Sequence, residues 1–195
     1  GSRMLSTICN FVVALDHSDP ALSYAQRNYH GPEYIKADAQ ALPFADMSFD
    51  SVVALEIVEH VDSGFHLLLE INLVLKNEGI LILSTPNVAH LKNRVNHILF
   101  KRNPLENQQK NPYHKHEYTS EDITKLLELT GFKIQKKRGQ ILTFPLVHKF
   151  PPQFCVNTGR FLPELSLHLI CKARKTEKEK TYLHRKKLLT KMALK

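Results

Sequence analysis

Three apolar runs rich in β-branched residues, 35–37, 51–55 and 80–84, each stop abruptly at polar residues: Asp38, Glu56 and Thr85-Pro86-Asn87. A helical pattern over 66–75 separates the last two. Continuous apolar runs alternating with helical segments predict parallel strands buried on both faces. In open sheets of that kind ligands bind beyond the carboxyl ends of the strands. The polar residues at those ends are therefore the first candidates for chemistry.

The same reading extends along the chain. Residues 3–10 look like the end of a helix, and 11–15 form a strand ending at Asp16. Ser18 or Asp19 caps the next helix, with Pro20 at its start. Ala21, Leu22, Tyr24, Ala25 and Tyr29 supply its apolar positions. Strands come next over 34–37 and 49–55, with turn chemistry at 46–48. A helix starts at Asp62 or Ser63 and runs to about Lys76, stopped by Asn77-Glu78-Gly79 with glycine near C′. After the strand at 80–84, residues 88–100 are helical and 101–116 form a polar loop. Thr119-Ser120-Glu121-Asp122 opens a helix that ends at Gly131. Strands over 132–137 and 165–171 enclose an irregular insertion, 139–164, which carries prolines and Phe144, Phe150, Phe154 and Phe161. That insertion reads equally as an apolar lid or as a packing surface. The alternation of strands and helices predicts a doubly wound α/β domain over 1–171, without internal repeats.

Composition changes this picture in two places. The net charge of +8 lies in the tail: residues 172–195 hold ten Lys/Arg against two Glu, so 1–171 is balanced. If the basic tail is helical, Leu188, Leu189 and Met192 oppose a basic face, which suits an anionic membrane surface or RNA; the balanced body argues against nucleic acid as the main partner. Three scattered cysteines, Cys9, Cys155 and Cys171, argue against a disulfide framework and for a reducing compartment. No apolar run is long enough to span a bilayer and no signal-peptide pattern opens the sequence, so the expected location is the cytoplasm.

Five segments in order make the reading specific: LDHS at 15–18, ADAQALPF at 37–44, SFDSVVALEIVEHV at 48–61, EINLVLKNEGILILSTPN at 70–87 and NPYHKHEYTSEDITKLLELTGF at 111–132. Together they resemble the class I S-adenosylmethionine-dependent methyltransferases over about residues 1–138. The resemblance implies a Rossmann-like sheet of order 3-2-1-4-5-7-6 with strand 7 antiparallel. In that frame the strands read above are strands 2 to 7. The family's strand 1 and its glycine-rich loop have no counterpart, because GSRMLS at 1–6 resembles the segment immediately after that loop. Strand 1 is therefore expected to be missing and the domain to be N-terminally truncated.

The resemblance also implies roles. Asp16 accepts the ribose hydroxyls of S-adenosylmethionine, with His17 at the adenosine edge. Asp38 accepts the adenine amino group and the Ala39 N–H donates to the ring. Leu55 and Glu56 lie near the methyl donor, and Gly1 stands where the glycine-rich loop would end. Glu56, His60 and His114 are the candidate catalytic residues, histidine being able to act as a base near neutral pH. The implied activity is methylation, at oxygen, of a small molecule or glycan. A second resemblance, to small-RNA 2′-O-methyltransferases, implies a divalent metal held by Glu56, Glu59, His60 and His114. The leading reading needs no metal. An inactive binding module is the non-enzymatic alternative, and the sequence does not address the oligomeric state.

Overall fold

The buried leucines of one helix, Leu67, Leu68 and Leu69, and of one strand, Leu81 and Leu83, form the centre of the core. The computed structural model describes residues 1–100, 113–142 and 151–176. The chain divides into two compact units, Gly1–Phe44 and Ala45–Lys195.

In the first unit a short helix, α1 (Ser2–Ser6), precedes strand β1 (Val13–Asp16), helix α2 (Asp19–Asn28) and strand β2 (Glu33–Lys36). The β1 and β2 strands pair in parallel, Asp16 opposite Lys36. The Ser18 side chain caps α2 by accepting from the Ala21 N–H, and Pro20 occupies its first turn. Lys36 pairs with Asp19 across the unit.

In the second unit β3 (Phe49–Leu55) leads to α3 (Gly64–Val74), β4 (Leu75–Pro86) and α4 (Leu91–Phe100). Then come α5 (Ser120–Leu129), β5 (Phe132–Leu142), α6 (Pro152–Phe161), a 3-10 turn at Pro163–Leu165, and β6 (Ser166–Lys175). The four strands run in the order β3-β4-β6-β5, with β3 parallel to β4 and β6 antiparallel to both β4 and β5. The expected order, read without its strand 1, gives these two sheets and this antiparallel strand. No strand precedes Val13 among the described residues. The Thr119–Asp122 capping box that opens α5 is present with both of its hydrogen bonds.

Several boundaries differ from the sequence reading: the first helix spans Ser2–Ser6 rather than 3–10, the first strand starts at Val13 rather than 11, and the helix read from 88 starts at Leu91. The helix expected to reach Lys76 ends at Val74, and Leu75, fully buried, already belongs to β4 opposite Phe49. Asn77-Glu78-Gly79 is consequently not a helix stop. It accompanies a register shift in the β3–β4 ladder, where Glu78 takes φ +63° and a Cβ on Gly79 would meet the Lys76 carbonyl at 2.8 Å. Within the insertion 139–164 the described residues form regular elements: β5 continues through Leu142, and α6 lies against it. Gly159 makes that approach possible, since a Cβ there would meet the Ile141 backbone nitrogen at 2.9 Å. Phe144 and Phe150 lie outside the described residues. Finally, β6 runs on to Lys175, four residues into the segment read as a tail, while 177–195 lie outside the described residues. The polar loop read over 101–116 likewise lies outside them up to residue 112.

The Lys175 side chain is buried. Its Nζ donates to the carbonyls of Asn72, at 2.6 Å, and Leu75, at 2.8 Å, which are orphaned where α3 ends. Asn72, also buried, donates in turn to the Thr130 carbonyl at the end of α5.

Candidate active site

Each unit places polar groups at the carboxyl ends of parallel strands. In the first, Asp16 is the last residue of β1 and Asp38 follows β2 by two residues. Asp16 Oδ1 accepts from the Ser18 N–H at 2.9 Å and lies 3.5 Å from His17 Nδ1. Its half-exposed Oδ2 has no partner among the described residues, so the carboxylate can accept from a bound ligand. Asp38 is exposed and its Oδ1 accepts from the Gln40 N–H at 2.8 Å, an Asx turn that fixes the carboxylate beside Ala39. Gly1, exposed, caps α1.

In the second unit Leu55, 52% exposed, ends β3, and Glu56 comes next with φ +52°, a left-handed conformation that a non-glycine residue adopts at a cost. Two bonds hold it there: the Glu56 N–H donates to both the carbonyl and the Oγ of Ser84, each at 3.1 Å. Ser84 Oγ donates to Glu56 Oε1 at 2.6 Å, and His168 Nδ1, from β6, donates to Glu56 Oε2 at 3.0 Å. Partial burial pushes the Glu56 carboxyl up, but the bonds from His168 and Ser84 and the His168 charge outweigh it and hold it below the usual value. The bond to Glu56 raises the His168 imidazole against the opposing effect of burial, with the charges of Glu56 and Glu59 adding. Nearby His90, buried and beside Lys92 and His168, is pushed down to about 4 and is neutral at pH 7.

A second cluster forms over the turn after β3. Glu59 is 2% exposed. Its Oε2 accepts from Thr85 Oγ1 at 3.1 Å, while Oε1 is buried without a hydrogen-bond partner. Burial, and less so the charge of Glu56, raises its pKa above the usual value. The Glu59 carbonyl accepts the N–H groups of Lys115, at 2.9 Å, and His116, at 3.1 Å. Lys115 Nζ also donates to Asp62 Oδ1 at 2.6 Å. These bonds fold the 113–118 loop back onto the 59–62 turn and bring His114 to His60, ring centroids 4.9 Å apart. His114 Nδ1 lies 3.4 Å from Glu117 Oε1. His60 Nδ1 donates to the Tyr113 carbonyl at 2.9 Å, so in the neutral ring Nε2 carries a lone pair. That lone pair lies 3.9 Å from Glu59 Oε1, itself a lone-pair atom. Glu59, His60 and His114 each offer one ligand atom, all within 4.8 Å of one another. A carboxylate oxygen and two imidazole nitrogens suit a divalent cation such as Mn or Fe.

The candidates from sequence thus sort into two groups. His60 and His114 meet, with Glu59, as a three-ligand cluster, and Glu56 lies outside it, engaged by Ser84 and His168. His168 and Ser84 were absent from the sequence reading. A lone histidine within a strand and a serine inside an apolar run carry no local signal, and only the β4–β6 pairing, Pro86 opposite His168, shows where they lie.

The sequence profile of the family described as "Methyltransferase domain" matches residues 1–83. A probable S-adenosylmethionine-dependent methyltransferase of Mycobacterium tuberculosis is 29% identical over 132 residues, 68% of this chain and 44% of its own. A ubiquinone biosynthesis O-methyltransferase of Rickettsia bellii is 36% identical over 69 residues, 35% of this chain and 28% of its own. The chain thus spans less than half the length of these relatives. A solved S-adenosylmethionine-dependent methyltransferase of Thermotoga maritima superposes with TM-score 0.63 at 18% identity, over 86% of this chain and 74% of that one, a likeness of fold.

Proposed function

We propose, from the premise that this chain belongs to the class I S-adenosylmethionine-dependent methyltransferases, that it transfers a methyl group from S-adenosylmethionine to an oxygen of a small molecule or glycan. The observation that carries the cofactor assignment is Asp16, a half-exposed carboxylate ending a parallel strand with one oxygen free to accept a ribose hydroxyl. Within the first unit Asp38 and Ala39 would meet the adenine, with His17 and Gly1 beside the adenosine and its tail. Within the second, Leu55 and Glu56 would stand at the methyl end. The O-methyltransferase named among the relatives supports oxygen as the accepting atom. Buried free thiols at Cys155 and Cys171 support a reducing, cytoplasmic setting as part of the same proposal. No helix among the described residues is long and apolar enough to cross a membrane. A nucleic-acid acceptor is not favoured, given the balanced charge of residues 1–171.

Calorimetry with S-adenosylhomocysteine, on this chain and on one extended upstream of Gly1, tests this reading. Binding is expected, weakened about tenfold or more in Asp16→Ala by loss of hydrogen bonds to a charged acceptor. No binding by either unsubstituted chain would refute it.

A second reading rests on the Glu59–His60–His114 cluster. A divalent cation there would satisfy the buried Glu59 Oε1 and could polarise an acceptor hydroxyl, as expected of a metal-assisted 2′-O-methyltransferase. Mn²⁺ binding tracked by paramagnetic resonance, lost in His114→Ala, would support it, and activity indifferent to chelators would remove it.

A further inference from the structure

Methyl transfer to a hydroxyl needs a group to take the acceptor's proton, and three features of His168 fit that task. First, its Nδ1 is committed to Glu56 Oε2 at 3.0 Å. That bond fixes the neutral ring as the Nδ1–H tautomer and leaves Nε2 as the basic atom. Nε2 has no partner among the described residues, and the side chain is 31% exposed. Second, Glu56 is itself immobilised, by the two bonds from its N–H to Ser84, by Ser84 Oγ on Oε1, and in a left-handed backbone conformation that these bonds hold. Strain of this kind is retained where surrounding contacts over-determine it, and it clusters at functional positions. Third, the pair stands at the carboxyl ends of β3 and β4: Glu56 comes directly after β3, and His168 lies opposite Pro86, the last residue of β4. Ligands of open α/β sheets occupy that edge.

We propose that His168 is the general base of the transfer and that Glu56 is its positioning residue; this rests on the reading of the chain as an S-adenosylmethionine-dependent O-methyltransferase. As the acceptor oxygen bonds to the methyl carbon, the S–CH₃ bond breaks and its electron pair returns to sulfur. The hydroxyl proton passes to His168 Nε2. The positive charge lost by the sulfonium thus appears on the imidazolium, where the ionised Glu56 stabilises it. The charged or titratable groups around His168 are Glu56 after β3, Glu59 on the turn beyond it, and His90 after β4. The two carboxylates favour the protonated ring, and His90 is neutral at pH 7.

The proposal can be tested without the acceptor. The protein, labelled with ¹⁵N-histidine, is titrated by imidazole NMR with saturating S-adenosylhomocysteine and again with S-adenosylmethionine, His168→Gln assigning the signal. The neutral ring should be the Nδ1–H tautomer. The His168 pKa should be lower with the sulfonium than with the neutral thioether, by roughly one unit, the size of effect expected of one nearby unit charge. Glu56→Gln should lower the His168 pKa in both complexes. If both ligands bind by calorimetry and the His168 pKa is the same in both, or the neutral tautomer is Nε2–H, the base assignment is overturned while the cofactor reading stands. If neither ligand binds, both fall.

Discussion

Replacing Glu59 by glutamine should make the metal-free protein more stable. The buried Oε1 of Glu59 has no hydrogen-bond donor, and it faces His60 Nε2 at 3.9 Å, a lone-pair atom when the ring is neutral. In Glu59→Gln the carbonyl oxygen can keep the Thr85 hydrogen bond, and the amide nitrogen replaces Oε1 as a donor aimed at Nε2. Two facing acceptors become a donor and an acceptor. Relieving an unsatisfied buried polar atom is worth about 1–3 kcal/mol. With an m-value near 2 kcal/mol/M, the urea midpoint at pH 7 should rise by about 0.5–1.5 M. The pH dependence identifies the cause. Burial raises the pKa of Glu59, so the folded state holds its proton more tightly than the unfolded chain does. The corresponding stability is present below the ordinary glutamate value of 4.5 and is lost as pH rises through the higher folded value. The advantage of Glu59→Gln should therefore be largest at neutral pH and shrink toward pH 4. Adding Mn²⁺ should reverse the ranking, because a ligand at 100 times its Kd stabilises the folded state by about 2.7 kcal/mol and the amide cannot hold it as the carboxylate does. A destabilised Glu59→Gln at neutral pH without metal, or a difference that ignores pH, would refute the reasoning.

Two further substitutions probe the frame around the site. Lys175→Met should cost about 1–3 kcal/mol by urea denaturation, since it leaves the Asn72 and Leu75 carbonyls without the Lys175 donor; an unchanged midpoint would show that those carbonyls find other partners. Gly64→Ala should cost about 1–3 kcal/mol in thermal denaturation, because its Cβ would meet the Tyr118 hydroxyl at 2.6 Å and Val58 Cγ2 at 2.8 Å; Gly64→Ala together with Tyr118→Phe should recover part of that loss.

The strands were legible in the sequence where apolar runs end in polar residues: β3 falls on residues 49–55 as read, and the ends of β1 and β2 lie within one residue of the reading. The caps at Ser18, Ser63 and Thr119 were legible because the signal is local. What escaped depends on distant partners. Lys175 read as tail because a lysine at an inward position ordinarily ends a strand, and only the carbonyls of α3 explain its burial. Leu75 read as helix because its pairing with Phe49 is a tertiary contact. In the site, Glu59, His60 and His114 were grouped by the resemblance to the small-RNA 2′-O-methyltransferases, which included Glu56 with them. The separation of Glu56 into a pair with His168, 112 positions away, could not be read from the sequence.

The order of strands across the second sheet has a consequence for how the chain is made. The β6 strand is the last of the described strands in sequence, yet it sits between β4 and β5. Until residues 166–175 have left the ribosome, β4 and β5 each present an open edge, and α3 lacks the Lys175 contacts at its end. Such long-range closure is slow and exposes strand edges to other chains. Nascent protein should therefore depend on chaperones until β6 is inserted, and truncations before residue 175 should aggregate rather than fold.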